Sequence, residues 1–213
     1  MPKTKPHRRE ELRLHRTGHT RVAGVDEAGR GAWAGPLVAG AVMLNKNFPA
    51  KMINDSKLLT KQRREKMFVH ITKHALSWAV AVVPAEEIDK IGLQEANRVA
   101  MERAVANLHI RPHAVLTDAL PIRVGRMKHK AIIKGDQKVL SIAAASIVAK
   151  VVRDTLMESA HKRWPHYSFK MNKGYGTARH QAALKQHGVS PLHRRSFEPV
   201  RNVLLKKRRR SSK

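Results

Sequence analysis

VAGVDEAGRGAWAGPLVAGAV, residues 22–42, decides how this chain folds. Val22–Val25 is apolar and small, Leu37–Leu44 is a longer apolar run, and glycines at 29, 31 and 35 lie between them. Two such runs bracketing a Gly-rich turn predict adjacent strands. The first ends on a carboxylate pair, Asp26 and Glu27. Neighbours on a regular strand point to opposite faces, so both acids serve one site only if the strand ends or distorts there, which glycines at 29 and 31 permit.

Thr60 is placed to cap a helix running to about Leu76, with Met67, Phe68 and Ile71 inward, and Ser77–Val83 reads as a third strand. A helix over Leu93–Leu108 follows, then short strands at Ala114–Thr117 and Ala131–Lys134. Val139–Arg163 carries Ala, Ile, Val and Leu at helical spacing, its small residues suiting close packing on a sheet. Ala178–His187 is a last helix. Strands followed by alternating helices and strands predict an α/β domain with a mixed central sheet flanked by helices and a C-terminal helical region. The chain divides into a basic N-terminal extension (1–20), a folded domain (21–200) and a basic C-terminal tail (201–213).

With 213 residues and a hydrophobic fraction of 42%, the chain builds one sizeable core. Its 43 Lys and Arg against 16 Asp and Glu give a net charge of +27, which attracts polyanions and makes nucleic acid the expected partner. Residues 1–21 carry seven basic and two acidic side chains and residues 201–213 seven basic ones, which leaves +15 on the body, so the positive field is not confined to the tails. The absence of cysteine excludes disulfides, thiolate nucleophiles and Cys-ligated zinc. No apolar run nears the roughly 20 residues of a membrane span. The N-terminus has no secretory core, and a cytoplasmic protein is expected. There is no phosphate-binding G-x-x-x-x-G-K-[ST] loop.

In so basic a chain the informative acids stand at strand ends. Asp26 and Glu27 end one strand, Asp118 another (AVLTD), and Asp136 follows a third (AIIKGD) just before the long helix. Strand ends of open α/β sheets are where active sites collect. Clustered carboxylates either share a proton or bind hard cations through oxygen. A polyanion partner favours the second use, in which two divalent ions activate water and stabilise the leaving oxygen of a phosphodiester. Composition and spacing leave open a set of unrelated turn and salt-bridge residues. His70 and His74, four apart on the expected helix, have no third ligand in the sequence and read as surface histidines.

The 22–42 stretch resembles the opening motif of the ribonuclease HII family, a DE pair followed by GRG and then AGP. Further matches keep the family's order: DSK at 55–57, TDAL around Asp118, IIKGDQKVLSIAAASIVAKVVRD at 132–154, KGYGTARH at 173–180 and SPLHRRSFEPV at 190–200. The resemblance spans residues 21–200 and implies a ribonuclease H-like fold. It implies an endonuclease that cuts the RNA of RNA–DNA hybrids and incises duplex DNA 5′ of embedded ribonucleotides, leaving a 3′-hydroxyl and a 5′-phosphate. Asp26, Glu27, Asp118 and Asp136 would hold two Mg²⁺ or Mn²⁺ ions. Gly29, Arg30 and Gly31 would contact the ribonucleotide and its 2′-OH, Tyr175 would stack on the following sugar, and Lys57 would meet a phosphate. Asp136, at the mouth of the long helix, suits the fourth acidic position better than Asp154, which lies about 20 Å further along that helix and reads as structural. The related type 3 enzymes resemble this chain less, since they carry a sizeable N-terminal substrate-binding domain and about 20 residues precede the first motif here. A basic binding protein without catalysis would leave the four acids unexplained. KKRRR at 206–210 also fits a nuclear import signal. No apolar or aromatic C-terminal clamp-docking motif is seen, and a monomer is expected.

Overall fold

A computed structural model describes residues 5–49, 53 and 60–211, with side chains through 205. Chain order is α1 (Arg9–Arg16), β1 (Val22–Ala28), β2 (Leu37–Leu44), α2 (Lys61–His74), β3 (Ala75–Val83), α3 (Ala85–Ile91), α4 (Leu93–Ala106), β4 (Ala114–Asp118), β5 (Lys128–Ile132), α5 (Gly135–Lys138), α6 (Leu140–Arg163), α7 (Phe169–Asn172), α8 (Ala178–His187) and α9 (Glu198–Ser211). Among the described residues the sheet has five strands in the order β3-β2-β1-β4-β5. The β3-β2-β1 half is an antiparallel meander; β1, β4 and β5 run parallel. This is the mixed, helix-flanked sheet that the sequence predicts.

Strand alternation assigns the faces. Ala23 and Val25 pack with Ala96, Ala100, Met101 and Ala104 of α4, whereas Val22, Ala114 and Leu116 pack with Ile142 of α6. The small-residue prediction for α6 holds in detail. A Cβ on Gly24 would lie 2.2 Å from the Ser141 carbonyl carbon, and one on Gly40 2.6 Å from the Ala145 carbonyl oxygen. The helix therefore rests on the sheet where neither partner has a bulky side chain. Thr60 caps α2 as expected, its hydroxyl accepting from the Arg63 N–H at 3.3 Å.

Some boundaries differ from expectation. The fifth strand is Lys128–Ile132, not Ala131–Lys134, because an edge strand with mostly exposed side chains needs no apolar run. α3 was not expected; it is a short helix begun by Pro84, with Glu86 and Glu87 in its first turn. Residues 1–20, expected as an extension, contain α1, which docks on the body: Leu14 joins the Val22–Leu116 cluster, and buried Glu11 accepts from the Ser141 N–H at 2.9 Å and its hydroxyl at 2.8 Å. That carboxylate satisfies a free donor of the first turn of α6. The tail expected from residue 201 continues α9.

Candidate active site

Parallel pairing of β1 with β4 sets Gly24 beside Leu116 and Val25 beside Thr117, so the next residues in register bring Asp26 and Asp118 to adjacent strand ends on the face toward α6. Asp136 arrives from α5, directly after Gly135, whose N–H donates to Asp118 Oδ1 at 2.8 Å. A Cβ on Gly135 would meet Ile142 Cδ1 of α6 at 2.7 Å, so glycine leaves that side chain its place beside the turn. One carboxylate oxygen from each of Asp26, Asp118 and Asp136 lies within 4.8 Å of the others. Asp26 and Asp136 are only 5% and 2% exposed.

Glu27 is not drawn into that trio. The strand stays regular through Ala28, paired with Val38, so the distortion needed to turn both acids one way does not occur. Asp26 bonds the Ser146 side chain on α6, and Glu27 bonds Asn97 on α4, across the sheet. The two remain electrostatically close. Burial pushes the Asp26 carboxyl well above its ordinary range, and the charges of Glu27 and Asp118 push it further. Glu27 is also raised, by burial and by Asp118, with Arg30 and Asn97 opposing. Carboxylates held this way take up either protons or a cation. An all-oxygen donor set without His or Cys fits a hard divalent ion such as Mg²⁺ or Mn²⁺.

A second wall rises beside this acidic floor. The 33–35 loop is stitched to the 174–175 turn and to the 190–194 segment: Trp33 and Ala34 N–H donate to Gly174 O at 2.8 and 3.2 Å, Gly35 N–H to Leu192 O at 2.8 Å, and Arg194 N–H to Trp33 O at 2.8 Å. Gly174 has φ of +82°, and a Cβ there would lie 2.1 Å from Ala34 O. Two buried guanidiniums brace the wall. Arg153 donates to Pro36 O (2.9 Å) and Ala34 O (3.3 Å); Arg194 donates to Gly35 O (3.1 Å) and Arg30 O (2.8 Å). Burial and the neighbouring Arg153 push Arg194 down to about 9. Gly29, with φ of +93°, leaves room for Arg153, whose Nε would be 1.9 Å from a Cβ there. Gly31 and Arg30 are exposed.

Tyr175 crowns the wall, 37% exposed as its place between glycines predicts, with the Arg153 guanidinium carbon 5.3 Å and Lys150 Nζ 5.9 Å from its ring centre. Asp154 lies outside the carboxylate trio and bonds Lys150 at 2.7 Å, with Arg64 at 3.8 Å, matching the structural reading. The His70 and His74 rings lie 4.6 Å apart, tilted by 39°, and belong to no cluster of three or more ligands among the described residues. Lys57 and the DSK motif lie outside the described residues.

The family model described as Ribonuclease HII matches residues 23–200. The chain belongs to the ribonuclease HII family. It is 49% identical over 196 residues to the ribonuclease HII of Desulfitobacterium hafniense, covering 92% of this chain and 75% of that one. With the ribonuclease HII of Acholeplasma laidlawii it shares 50% over 194 residues, covering 91% and 95%. Among solved structures, ribonuclease H2 from Pyrococcus horikoshii superposes with a TM-score of 0.77 at 30% identity, covering 88% of this chain and 99% of that chain. Bst-RNase HIII in complex with Mn²⁺ gives 0.75 at 20% identity, covering 98% of this chain and 77% of that chain, a likeness of fold. The ribonuclease H-like fold is thus established. As a ribonuclease HII the chain is a metal-dependent endonuclease of RNA–DNA hybrids. Among the described residues no helix is long and apolar enough to cross a membrane.

Sequence reading missed Ser146, Asn97, Arg153, Arg194, His180 and His193. Each lies inside or between motifs whose small, apolar or charged neighbours give no hint that the polar side chain is buried.

Proposed function

We propose that this ribonuclease HII incises duplex DNA on the 5′ side of an embedded ribonucleotide as well as cutting hybrids, leaving a 3′-hydroxyl and a 5′-phosphate. The observation that carries the reading is the convergence of Asp26, Asp118 and Asp136 within 4.8 Å in a chain of net charge +27. Those three would hold two Mg²⁺ or Mn²⁺ ions, with Glu27, turned to Asn97 but close enough for the Asp118 charge to raise it, as the fourth acid. Divalent cations bound there lower the pKa of water and stabilise the departing oxygen of the phosphodiester. The chain's own residues bind and orient. The backbone of Gly29, Arg30 and Gly31, fixed from behind by Arg153 and Arg194, offers polar groups to the ribose 2′-OH, the atom that separates RNA from DNA. Tyr175 offers its exposed ring to the next sugar, and Lys57 a charge to a phosphate. The basic surface supplies salt-sensitive, sequence-independent affinity. We read the enzyme as a cytoplasmic monomer.

The test is cleavage of a DNA duplex carrying one ribonucleotide, with Mg²⁺, with Mn²⁺ and with EDTA. Metal-dependent cutting at the 5′ side of the ribonucleotide is expected. Cutting of continuous hybrids alone would overturn the single-ribonucleotide reading.

A further inference from the structure

Behind Tyr175 two histidines with almost no solvent access touch each other: His180 is 0% and His193 1% exposed, and their Nε2 atoms lie 3.0 Å apart. The contact is one link in a line of polar groups whose protons can be assigned by elimination. His193 Nδ1 is 3.0 Å from the Ser190 backbone N–H. An amide can only donate, so Nδ1 carries a lone pair and a neutral His193 has its proton on Nε2. That proton points at His180 Nε2, which must be the acceptor, and a neutral His180 is left with its proton on Nδ1. The Nδ1–H then donates to the Tyr175 carbonyl at 2.9 Å. Ser190 Oγ, 2.8 Å from His193 Nδ1, closes the far end and accepts from the Leu192 N–H at 3.3 Å.

The surroundings enforce the neutral state. Trp33, Tyr167 and Phe169 pack around the pair with ring centres 4.8 to 6.2 Å away, and the Tyr167 hydroxyl donates away from it, to Gly188 O. Burial lowers both histidines, His193 to about 3, with His180 and His166 as the other charges that bear on it. One proton between two Nε2 atoms makes a hydrogen bond; a second would set two N–H groups head to head.

We propose that His180 and His193 form a proton-ordered relay that fixes the backbone of Tyr175, making both of them positioning residues for reading the RNA-to-DNA junction. The relay ends on the carbonyl of the one residue whose ring is offered to the substrate. The same carbonyl also accepts the Thr177 N–H at 2.8 Å, so it is held from two directions. This rests on the reading that Tyr175 contacts the sugar after the ribonucleotide. Displacing a positioning group by a fraction of an ångström loses rate without removing any catalytic atom.

The experiment compares the wild type with His180→Leu, His180→Asn, Tyr175→Ala and the double variant His180→Leu/Tyr175→Ala, measuring kcat and KM on the one-ribonucleotide duplex and on a continuous hybrid. His180→Leu is expected to lose about tenfold in kcat/KM on the one-ribonucleotide duplex and less on the hybrid. His180→Asn, whose amide nitrogen occupies the place of Nδ1 and still donates to Tyr175 O but does not reach His193, is expected to recover part of that loss. In the Tyr175→Ala background His180→Leu should cost nothing more. A silent His180→Leu beside an impaired Tyr175→Ala, or losses that multiply in the double variant, would overturn the relay alone. A silent Tyr175→Ala would overturn the reading it rests on, and the relay with it. Nitrogen-15 shifts of the wild-type imidazoles at neutral pH give a check that needs no variant to fold: a Nδ1–H tautomer for His180 and a Nε2–H tautomer for His193 are expected, and any other pairing refutes the relay.

Discussion

The acidic floor and the loop wall beside it are built on opposite principles. The floor gathers like charges: parallel register and strand alternation bring Asp26 and Asp118 together, Asp136 joins them from α5, and burial then raises Asp26. The wall gathers two buried cations, Arg153 and Arg194, which spend their donors on the carbonyls of residues 30, 34, 35 and 36. Repulsion in the floor would be relieved from outside, by a cation. The wall is tied together by its own backbone carbonyls and presents a fixed shape. Chemistry and recognition are thus separable, and substitutions in the two regions should fail differently.

The largest separation is expected from Asp118→Asn. It should reduce cleavage of both the hybrid and the one-ribonucleotide duplex on the order of a hundred- to thousandfold, with duplex binding retained in a filter or anisotropy assay. Loss of binding in parallel with cleavage would merge the two regions. Arg153→Leu attacks the wall from behind. Two buried carbonyls lose their donor, and at about 1–3 kcal/mol for each unsatisfied group the urea midpoint should fall clearly. An unchanged midpoint would show that the guanidinium braces nothing. Tyr175→Ala should leave stability alone and lower kcat/KM on the one-ribonucleotide duplex about tenfold, the weight of one stacking contact. An equal loss on a continuous hybrid would deny it a junction role.

The smallest effect is a difference in sign with pH. In EDTA the floor and the wall titrate against each other. Carboxyls raised in the folded state, Asp26 and Glu27, contribute stability below their unfolded pKa of about 4 and lose it as pH rises through their folded values. Histidines lowered in the folded state, His180 and His193, contribute above about 6.5 and lose it as pH falls. Between about pH 7 and pH 4.5 the wild-type urea midpoint should therefore fall less steeply than that of Asp26→Asn and more steeply than that of His193→Asn. The reverse order would mean that these groups do not govern the acid limb.

Much of this was legible before any coordinates. The 22–42 stretch specifies the β1–β2 pair, the small residues of 139–163 foretell the helix that rests on it, and acids at strand ends foretell the cluster of Asp26, Asp118 and Asp136. What alternation would have decided, that Asp26 sides with Asp118 and Glu27 does not, was hidden because β1 is buried on both faces and its hydrophobic pattern shows no period of two. The β5 edge was misplaced because Lys128 and Lys130 belong to a strand that faces solvent. His180, His193, Arg153 and Arg194 were invisible as buried residues. In a chain with 43 Lys and Arg and 13 His, nothing in sequence singles out the few that fold inward.

Every contrast above depends on whether the floor takes a divalent cation. Calorimetric titration of Mn²⁺ into the substrate-free wild type and Asp26→Asn tests that most directly. Saturable binding to the wild type and loss of that binding in Asp26→Asn are the predicted results. Equal binding by both proteins would place the metal elsewhere and contradict the account.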